Sequence, residues 1–309
     1  MHRLTTALGM PQHRFGSIHV VGTNGKSSVT RMTAALLEAH GTSTGCCLSP
    51  HVSRWSERIL LRGRDIDHAA FAAAVERTAA AAATVNRSLD EGEEVTQFEL
   101  ATAAAFVALA NARVQCGVVE AGLGGRLDAT NVLPSRVTVL TSVGLDHTEW
   151  LGETVAEIAA EKLDVLRDHS VLVLGRVGDE VRALARATAS ERGATLIEAP
   201  EEPAPEVRLR AAGQFQRRNF ALALAAAEAY LGAAPDPSRS AAVADDLVIP
   251  GRLERVAEDP PSFLDAAHNA DGAAALAEAL PEVAGGSPVY ACLAMLADKD
   301  ARAILDAVA

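Results

Sequence analysis

The segment Gly22-Thr23-Asn24-Gly25-Lys26-Ser27-Ser28 follows the apolar run Ile18-His19-Val20-Val21 and has the residue types of a phosphate-binding loop. Glycines permit a tight turn and close backbone approach. A lysine offers a point charge to β- and γ-phosphate oxygens, and the helix that follows aims unpaired N–H groups at the same anion. The strict pattern wants a glycine at the position of Val20, so this is a shortened variant. By itself it reads equally as an ordinary strand-to-helix connection.

Other candidates sit at comparable places. Ser49 follows Gly45–Leu48, Glu120 closes Gly117-Val118-Val119, and Asp146-His147 follow Arg136–Val143. Mg²⁺ prefers oxygen ligands and keeps several waters, so Glu120 and a serine suit a nucleotide-bound magnesium. Imidazole suits softer metals, and on chemistry alone His147 reads as a polar contact. In Thr154–Leu166 the apolar positions Val155, Ile158, Ala159, Leu163 and Leu166 define one helix face, and Lys162 falls on it. Such a lysine either snorkels its ammonium to water or is held beside an anionic site with its charge state tuned. The glycine-rich loop Glu120–Asn131 carries Arg126 and Asp128, and Asp265-Ala266-Ala267-His268-Asn269 ends an apolar run further on. Both can bring backbone and polar groups to a substrate.

These residues need a scaffold. Short β-branched runs near Ile18–Val21, Gly45–Leu48, Gln115–Glu120, Arg136–Val143 and Ser170–Leu174 alternate with helical patterns, which implies βαβ units and a mostly parallel α/β sheet. Ligands bind outside the carboxyl ends of such strands, where four of the candidate loops converge. A helix is expected over Gly213–Leu231, then a Pro/Ala/Ser-rich stretch over Ala233–Ala244 and a hinge at Ile249-Pro250-Gly251. A second βαβα unit is expected beyond it, with strands at Ser262–Asp265 and Val289–Leu293 and helices at Asp271–Leu280 and Lys299–Val308. At about 60 residues it buries little and cannot cover both faces of a parallel sheet, so it is expected to be incomplete.

The 309-residue chain has a formal charge of -12, which argues against a general nucleic-acid binder. Any anionic ligand must be held by a local site. Cys46, Cys47, Cys116 and Cys292 show neither CxxC spacing nor a disulfide framework, and structural thiols in a reducing cytoplasm fit them. Apolar stretches are broken by charges well short of the roughly 20 residues of a membrane span. The alanine run Ala79–Ala83 lies among Phe71, Val75 and Val85 and reads as helix.

Taken in order, the motifs resemble the dihydrofolate synthase/folylpolyglutamate synthase family of the Mur ligase superfamily. The resemblance rests on Gly22–Ser28, Glu120–Asn131, Leu145-Asp146-His147-Thr148-Glu149-Trp150-Leu151-Gly152 and Glu161-Lys162. Leu48-Ser49-Pro50-His51-Val52 with Glu57-Arg58-Ile59, and Thr96-Gln97-Phe98-Glu99, point to the folate branch. It implies a P-loop-type ATPase domain over 1–250 and an incomplete Rossmann-like, glutamate-ligase domain over 251–309. It also implies Mg²⁺ on Ser49, Glu120 and His147, a carbamylated Lys162, and catalytic roles for Lys26, Lys162 and His147. ATP would be held by Gly22, Thr23, Asn24, Gly25, Lys26, Ser27, Ser28, Asn219, Arg252, Asp265 and His268, and the pterin by Thr96, Phe98, Asp128 and Ala129. The implied reaction joins L-glutamate to dihydropteroate or a reduced folate through an acyl phosphate, yielding ADP and phosphate, in a monomer without nucleic-acid or membrane partners. Ser27, Phe215 and Ala266 depart from the family's usual glycine, histidine and glycine, and the family's C-terminal domain normally continues beyond the segment resembling Leu293–Asp300. A Mur-type ligase for another acid and amino acid, and a nucleotide-binding protein without ligase activity, are the alternatives.

Overall fold

Eight strands form one sheet: β1 Gly16–Val21, β2 Thr44–Cys47, β3 Ile59–Leu61, β4 Arg64–Asp65, β5 Cys116–Glu120, β6 Val137–Leu140, β7 Val171–Leu174 and β8 Thr195–Glu198. The computed structural model describes residues 1–297 and 299–308. The order across the sheet is β4-β3-β2-β5-β1-β6-β7-β8, parallel from β2 to β8 and antiparallel at β2–β3 and β3–β4. The chain moves from β5 on one side of β1 to β6 on the other. The strand order therefore reverses around β1, and crevices open at such a switch point beyond the carboxyl ends.

The helices are α1 His2–Ala7, α2 Lys26–Ala39, α3 His68–Asn86, α4 Gln97–Asn111, α5 Thr148–Leu151, α6 Val155–Leu163, α7 Asp179–Glu191, α8 Gln214–Leu231, α9 Pro237–Asp246, α10 Ala270–Ala284 and α11 Ala301–Val308. Alternation along each strand splits the sheet's side chains between two layers. Ile18, Val20, Cys46, Val118, Val137, Val139 and Val173 pack with α2, α8 and α9, including the buried Met32 and Phe220. On the opposite face Cys47 and Val119 meet α3 and α4, and Val21, Leu140, Leu172 and Leu174 meet α6 and α7. With helices on both faces, the strands read as nearly continuous apolar runs.

The strands expected before the hinge all occur, and Ala79–Ala83 lies inside α3. Two expectations need correction. The Pro/Ala/Ser-rich stretch contains α9, because Asp236 accepts a hydrogen bond from the Arg239 N–H at 2.9 Å and Pro237 stands where a missing N–H costs nothing. The second βαβα unit is absent among the described residues. Instead Pro261–Leu264 (β10) pairs antiparallel with Glu254–Glu258 (β9), a strand the sequence pattern does not announce. The segment 289–293 forms no strand: Val289 is 52% and Tyr290 95% exposed, so no apolar face holds it against β10. Helices α10 and α11 do form near the expected positions, while Asp298 and Ala309, within the expected second domain, lie outside the described residues.

Helix α8 packs along α2 and thereby sets its own Asn219 beside the loop that precedes α2. Replacing the fully buried Phe220 by alanine is expected to lower stability by about 3–5 kcal/mol in urea unfolding, through lost transfer energy and the cavity left behind.

Candidate active site

The carboxyl ends of β1, β2, β5, β6, β7 and β8 and the loop after β10 enclose a cavity of about 1170 Å³. Gly22–Ser28 form its floor at the switch point. Gly22 has φ +152°, and a Cβ there would lie 1.9 Å from Thr141 Oγ1; Gly25 has φ +83°, with Asn219 Oδ1 at 2.6 Å from its would-be Cβ. Any side chain at either position collides, so both glycines are structural requirements of this turn. The loop is stapled to the segment after β6: the Asn24 N–H donates to Ser142 Oγ at 3.0 Å and Thr141 Oγ1 donates to the Asn24 carbonyl at 2.6 Å.

Lys26 Nζ folds back onto the Gly22 and Thr23 carbonyls at 2.9 and 3.0 Å. Lys162 Nζ donates to the same Gly22 carbonyl at 3.1 Å. Lys162 is 3% exposed, so of the two readings of its helix position the inward one holds and snorkelling does not. Burial pushes the Lys26 ammonium below its ordinary range, against the attraction of Glu120 and Asp146. For Lys162, burial and then repulsion from Lys26 bring the pKa from 10.5 down to about 7. Glu120, itself buried, is pushed up by desolvation although Lys26 pulls it down. Its Oε1 accepts from Ser27 Oγ at 2.9 Å and its Oε2 from the Ser49 N–H at 3.0 Å.

Among the described residues no group of three or more His, Cys, Asp or Glu side chains forms a metal cage. The donor chemistry nevertheless fits Mg²⁺, which is bound through one or two carboxylates, waters and substrate phosphates. Glu120 is a buried carboxylate whose anionic form desolvation disfavours, and it shares the cavity wall with Ser27, Ser49 and the phosphate loop. His147 lines the same cavity with φ +51°, its Nε2 3.8 Å from Asp146 Oδ1, and burial lowers its pKa.

The C-terminal segment closes one side through Asp146. Asn269 Nδ2 lies 2.9 Å from Asp146 Oδ2, Lys299 Nζ 3.1 Å from Oδ1, and His268 Nε2 3.4 Å from Oδ2. Burial alone would raise this carboxyl, but the hydrogen bonds from His268, Asn269 and Lys299 hold it well below the usual carboxylate range. Asn24 and Asn269 exchange two side-chain hydrogen bonds of 3.1 Å. Asp265 shapes the neighbouring loop by accepting from the Leu253 and Ala267 N–H groups, both at 2.7 Å.

Ser49, Phe98, Glu120, His147, Lys162, Asn219, Arg252, Asp265 and His268 thus share one cavity with the phosphate loop. Thr96, Asp128 and Ala129 do not line it. Thr96 caps α4 in a reciprocal pair with Glu99. Asp128 accepts from the Leu123 and Thr130 N–H groups at 2.8 and 2.9 Å, and Ala129 starts the 3-10 turn behind it. Arg58 and Asp146 also line the cavity, and Asn269 and Lys299 reach its edge through Asp146; the resemblance gives none of the four a specific role. Asp146 adjoins His147 within Leu145–Gly152 and so carries a local signal; the Asn24–Asn269 pair, 245 residues apart, carries none.

No family model matches the chain. A dihydrofolate synthase/folylpolyglutamate synthase of Mycobacterium tuberculosis is 35% identical, covering 99% of this chain and 70% of the relative. A structure of Mycobacterium tuberculosis folylpolyglutamate synthase complexed with ADP superposes with a TM-score of 0.90 at 34% identity, covering 99% of this chain and 74% of that one. A folylpolyglutamate synthase complex with AMPPCP and folate gives 0.89 at 31% identity, covering 98% and 80%.

Two outcomes check this geometry. Thr96→Ala is expected to cost about 1 kcal/mol of stability in denaturant unfolding, as loss of a helix cap does. For Lys162, the unfolded chain holds a proton between about pH 7 and 10.5 that the folded chain has lost, so this group's contribution to stability improves as pH rises through that window. In carbonate-free buffer the stability of the wild type is therefore expected to gain on that of Lys162→Met from pH 7 to 10; parallel profiles would mean the amine titrates normally.

Proposed function

The chain belongs to the dihydrofolate synthase/folylpolyglutamate synthase family, and we propose that it joins L-glutamate to dihydropteroate or a reduced folate at the expense of ATP. The observation that carries this reading is the convergence of a phosphate loop, two inward lysines and a buried carboxylate on one cavity at the sheet's switch point. Relatives solved with ADP, and with AMPPCP and folate, support nucleotide and folate binding here.

The substrate's carboxylate oxygen attacks the γ-phosphorus, the bond to the ADP oxygen breaks, and an acyl phosphate forms. The glutamate amine then attacks the acyl carbon, phosphate leaves, and the amine's proton passes to solvent. Two anions must meet in the first step, so charge neutralisation is the main requirement. Lys26 supplies it from the loop, with Asn219, Arg252, Asp265 and His268 assigned to the rest of the nucleotide. Ser49, Glu120 and His147 would hold Mg²⁺, which offsets phosphate charge when bound. Phe98 is assigned to the pterin, against Gly122, whose missing side chain leaves room for the ring.

Lys162 is assigned as a carbamate. An amine with a pKa near 7 is substantially neutral at neutral pH, and only the neutral amine adds to CO₂. The product is an anion where a buried cation stood, beside the Lys26 ammonium that would stabilise it. Residues 1–250 are assigned as the ATP-binding unit and 251–309 as part of the glutamate-ligase unit, in a monomeric cytoplasmic enzyme. Three of its thiols are buried and unpaired, and no helix among the described residues is long and apolar enough to cross a membrane.

The test is phosphate release from ATP. It is expected to require both dihydropteroate, or a reduced folate, and L-glutamate. Release that is indifferent to the acid would remove the ligase reading and favour a nucleotide-binding protein, whereas turnover with a different acid and amino acid would point to another Mur-type reaction. Lys26→Ala is expected to reduce turnover by at least a hundredfold while the chain still folds, on the scale of losing one electrostatic contact to the transition state.

A further inference from the structure

The segment His51–Arg58 is built around one guanidinium. Glu57 ties down its own loop by accepting from the Val52, Ser53 and Arg54 N–H groups at 2.9, 3.2 and 2.8 Å. Arg58 Nε donates to His51 Nδ1 at 2.9 Å, and the guanidinium carbon lies 4.5 Å from the centroid of the Trp55 ring, which in turn stacks on His51 at 4.8 Å. The partners that fix this side chain are thus an imidazole and an indole. Among the described residues Arg58 makes no ion pair, and its two terminal nitrogens have no hydrogen-bond acceptor, yet it lines the cavity. A guanidinium held by uncharged groups keeps its charge and its bidentate fork for a ligand.

The strand order says where that ligand lies. The Arg58 carbonyl accepts from the Leu48 N–H at 2.8 Å, which places Arg58 at the carboxyl end of β2, beside Ser49. Along the sheet edge the sequence of groups is then Arg58 before β3, Ser49 after β2, Glu120 on β5 and Lys26 after β1. With strands about 4.8 Å apart, β3 and β1 are separated by roughly 14 Å. On the ligase reading the nucleotide's phosphates belong with Lys26, after β1. Arg58 lines the same cavity as Phe98 and Gly122, and along the sheet edge it lies on the other side of Glu120 from Lys26.

We propose that Arg58 is the residue that binds the carboxylate of the acid substrate, drawing it past Glu120 to the γ-phosphate, with His51 and Trp55 as positioning residues. This rests on the ligase reading above. The His51–Arg58 segment then has a chemical role, because it holds a fixed guanidinium on the side of Glu120 away from Lys26, where the arriving carboxylate loses its water.

The experiment is a binding cycle on the full chain by calorimetry, with Mg²⁺ and a non-hydrolysable ATP analogue present, comparing dihydropteroate with its carboxamide. The wild type is expected to prefer the acid by roughly ten- to a hundredfold, the scale of charge-assisted hydrogen bonds. In Arg58→Ala that preference is expected to collapse to near unity while carboxamide and nucleotide affinity are retained and the chain still unfolds cooperatively, and Arg58→Lys is expected to restore part of it. A merely structural role would weaken both ligands together. Retention of the wild-type preference in Arg58→Ala overturns the proposal, as does a loss confined to the ATP analogue, which would assign Arg58 to the γ-phosphate. A wild type that binds neither acid nor amide overturns the ligase reading itself, whereas acid preference kept in Arg58→Ala leaves that reading standing.

Discussion

Two buried lysine side chains on one carbonyl are the constraint around which the rest of the site is arranged. Lys26 and Lys162 both donate to the Gly22 oxygen from buried positions, where burial depresses both and Lys26 depresses Lys162 further. Concentrating like charge in a low-dielectric site is unfavourable unless an opposite charge arrives. Glu120 supplies part of that opposite charge, and a bound triphosphate would supply more. A site in which these groups are already fixed is preorganised for a polyanionic ligand, as phosphoryl transfer calls for.

Such an arrangement needs a rigid frame. The frame is the reversal of strand order at β1, which opens the crevice into which Gly22–Ser28, Ser49, Glu120 and Asp146-His147 converge. Thr141 and Ser142 hold the Asn24 backbone from the neighbouring strand end, and α6 brings Lys162 in from behind. Ser27, a departure from the family's usual glycine, donates its hydroxyl to a Glu120 oxygen and so links the phosphate loop to the carboxylate. Asp146 performs a matching role on the other side, collecting Asn269, His268 and Lys299 from the C-terminal segment. One carboxylate with three donors from that segment ties it to the wall of the cavity.

The order of motifs is sufficient for the sequence to specify the parallel sheet, the Gly22–Ser28 loop, the placement of Glu120 at a strand end, and the inward face of Lys162; His147 instead stands at the start of α5, seven residues after β6. These features are local: period, glycine position and strand-end polarity are all written within a few residues of one another. The Asp236-Pro237 start of α9 is equally local, and only the Pro/Ala/Ser composition around it masks the cap. Tertiary structure decided what depends on partners far along the chain. Segment 289–293 is apolar enough for a strand, but a strand exists only through its ladder, and among the described residues no neighbour pairs with it. Thr96 and Asp128 each cap N–H groups two or three residues on, which their residue types permit locally, whereas their place outside the cavity lining comes from packing. The Asn24–Asn269 exchange, the three donors on Asp146 and the stacking that leaves Arg58 charged and unpaired among the described residues arise from chain packing, which brings together side chains whose chemistry the sequence names but whose distances it does not contain.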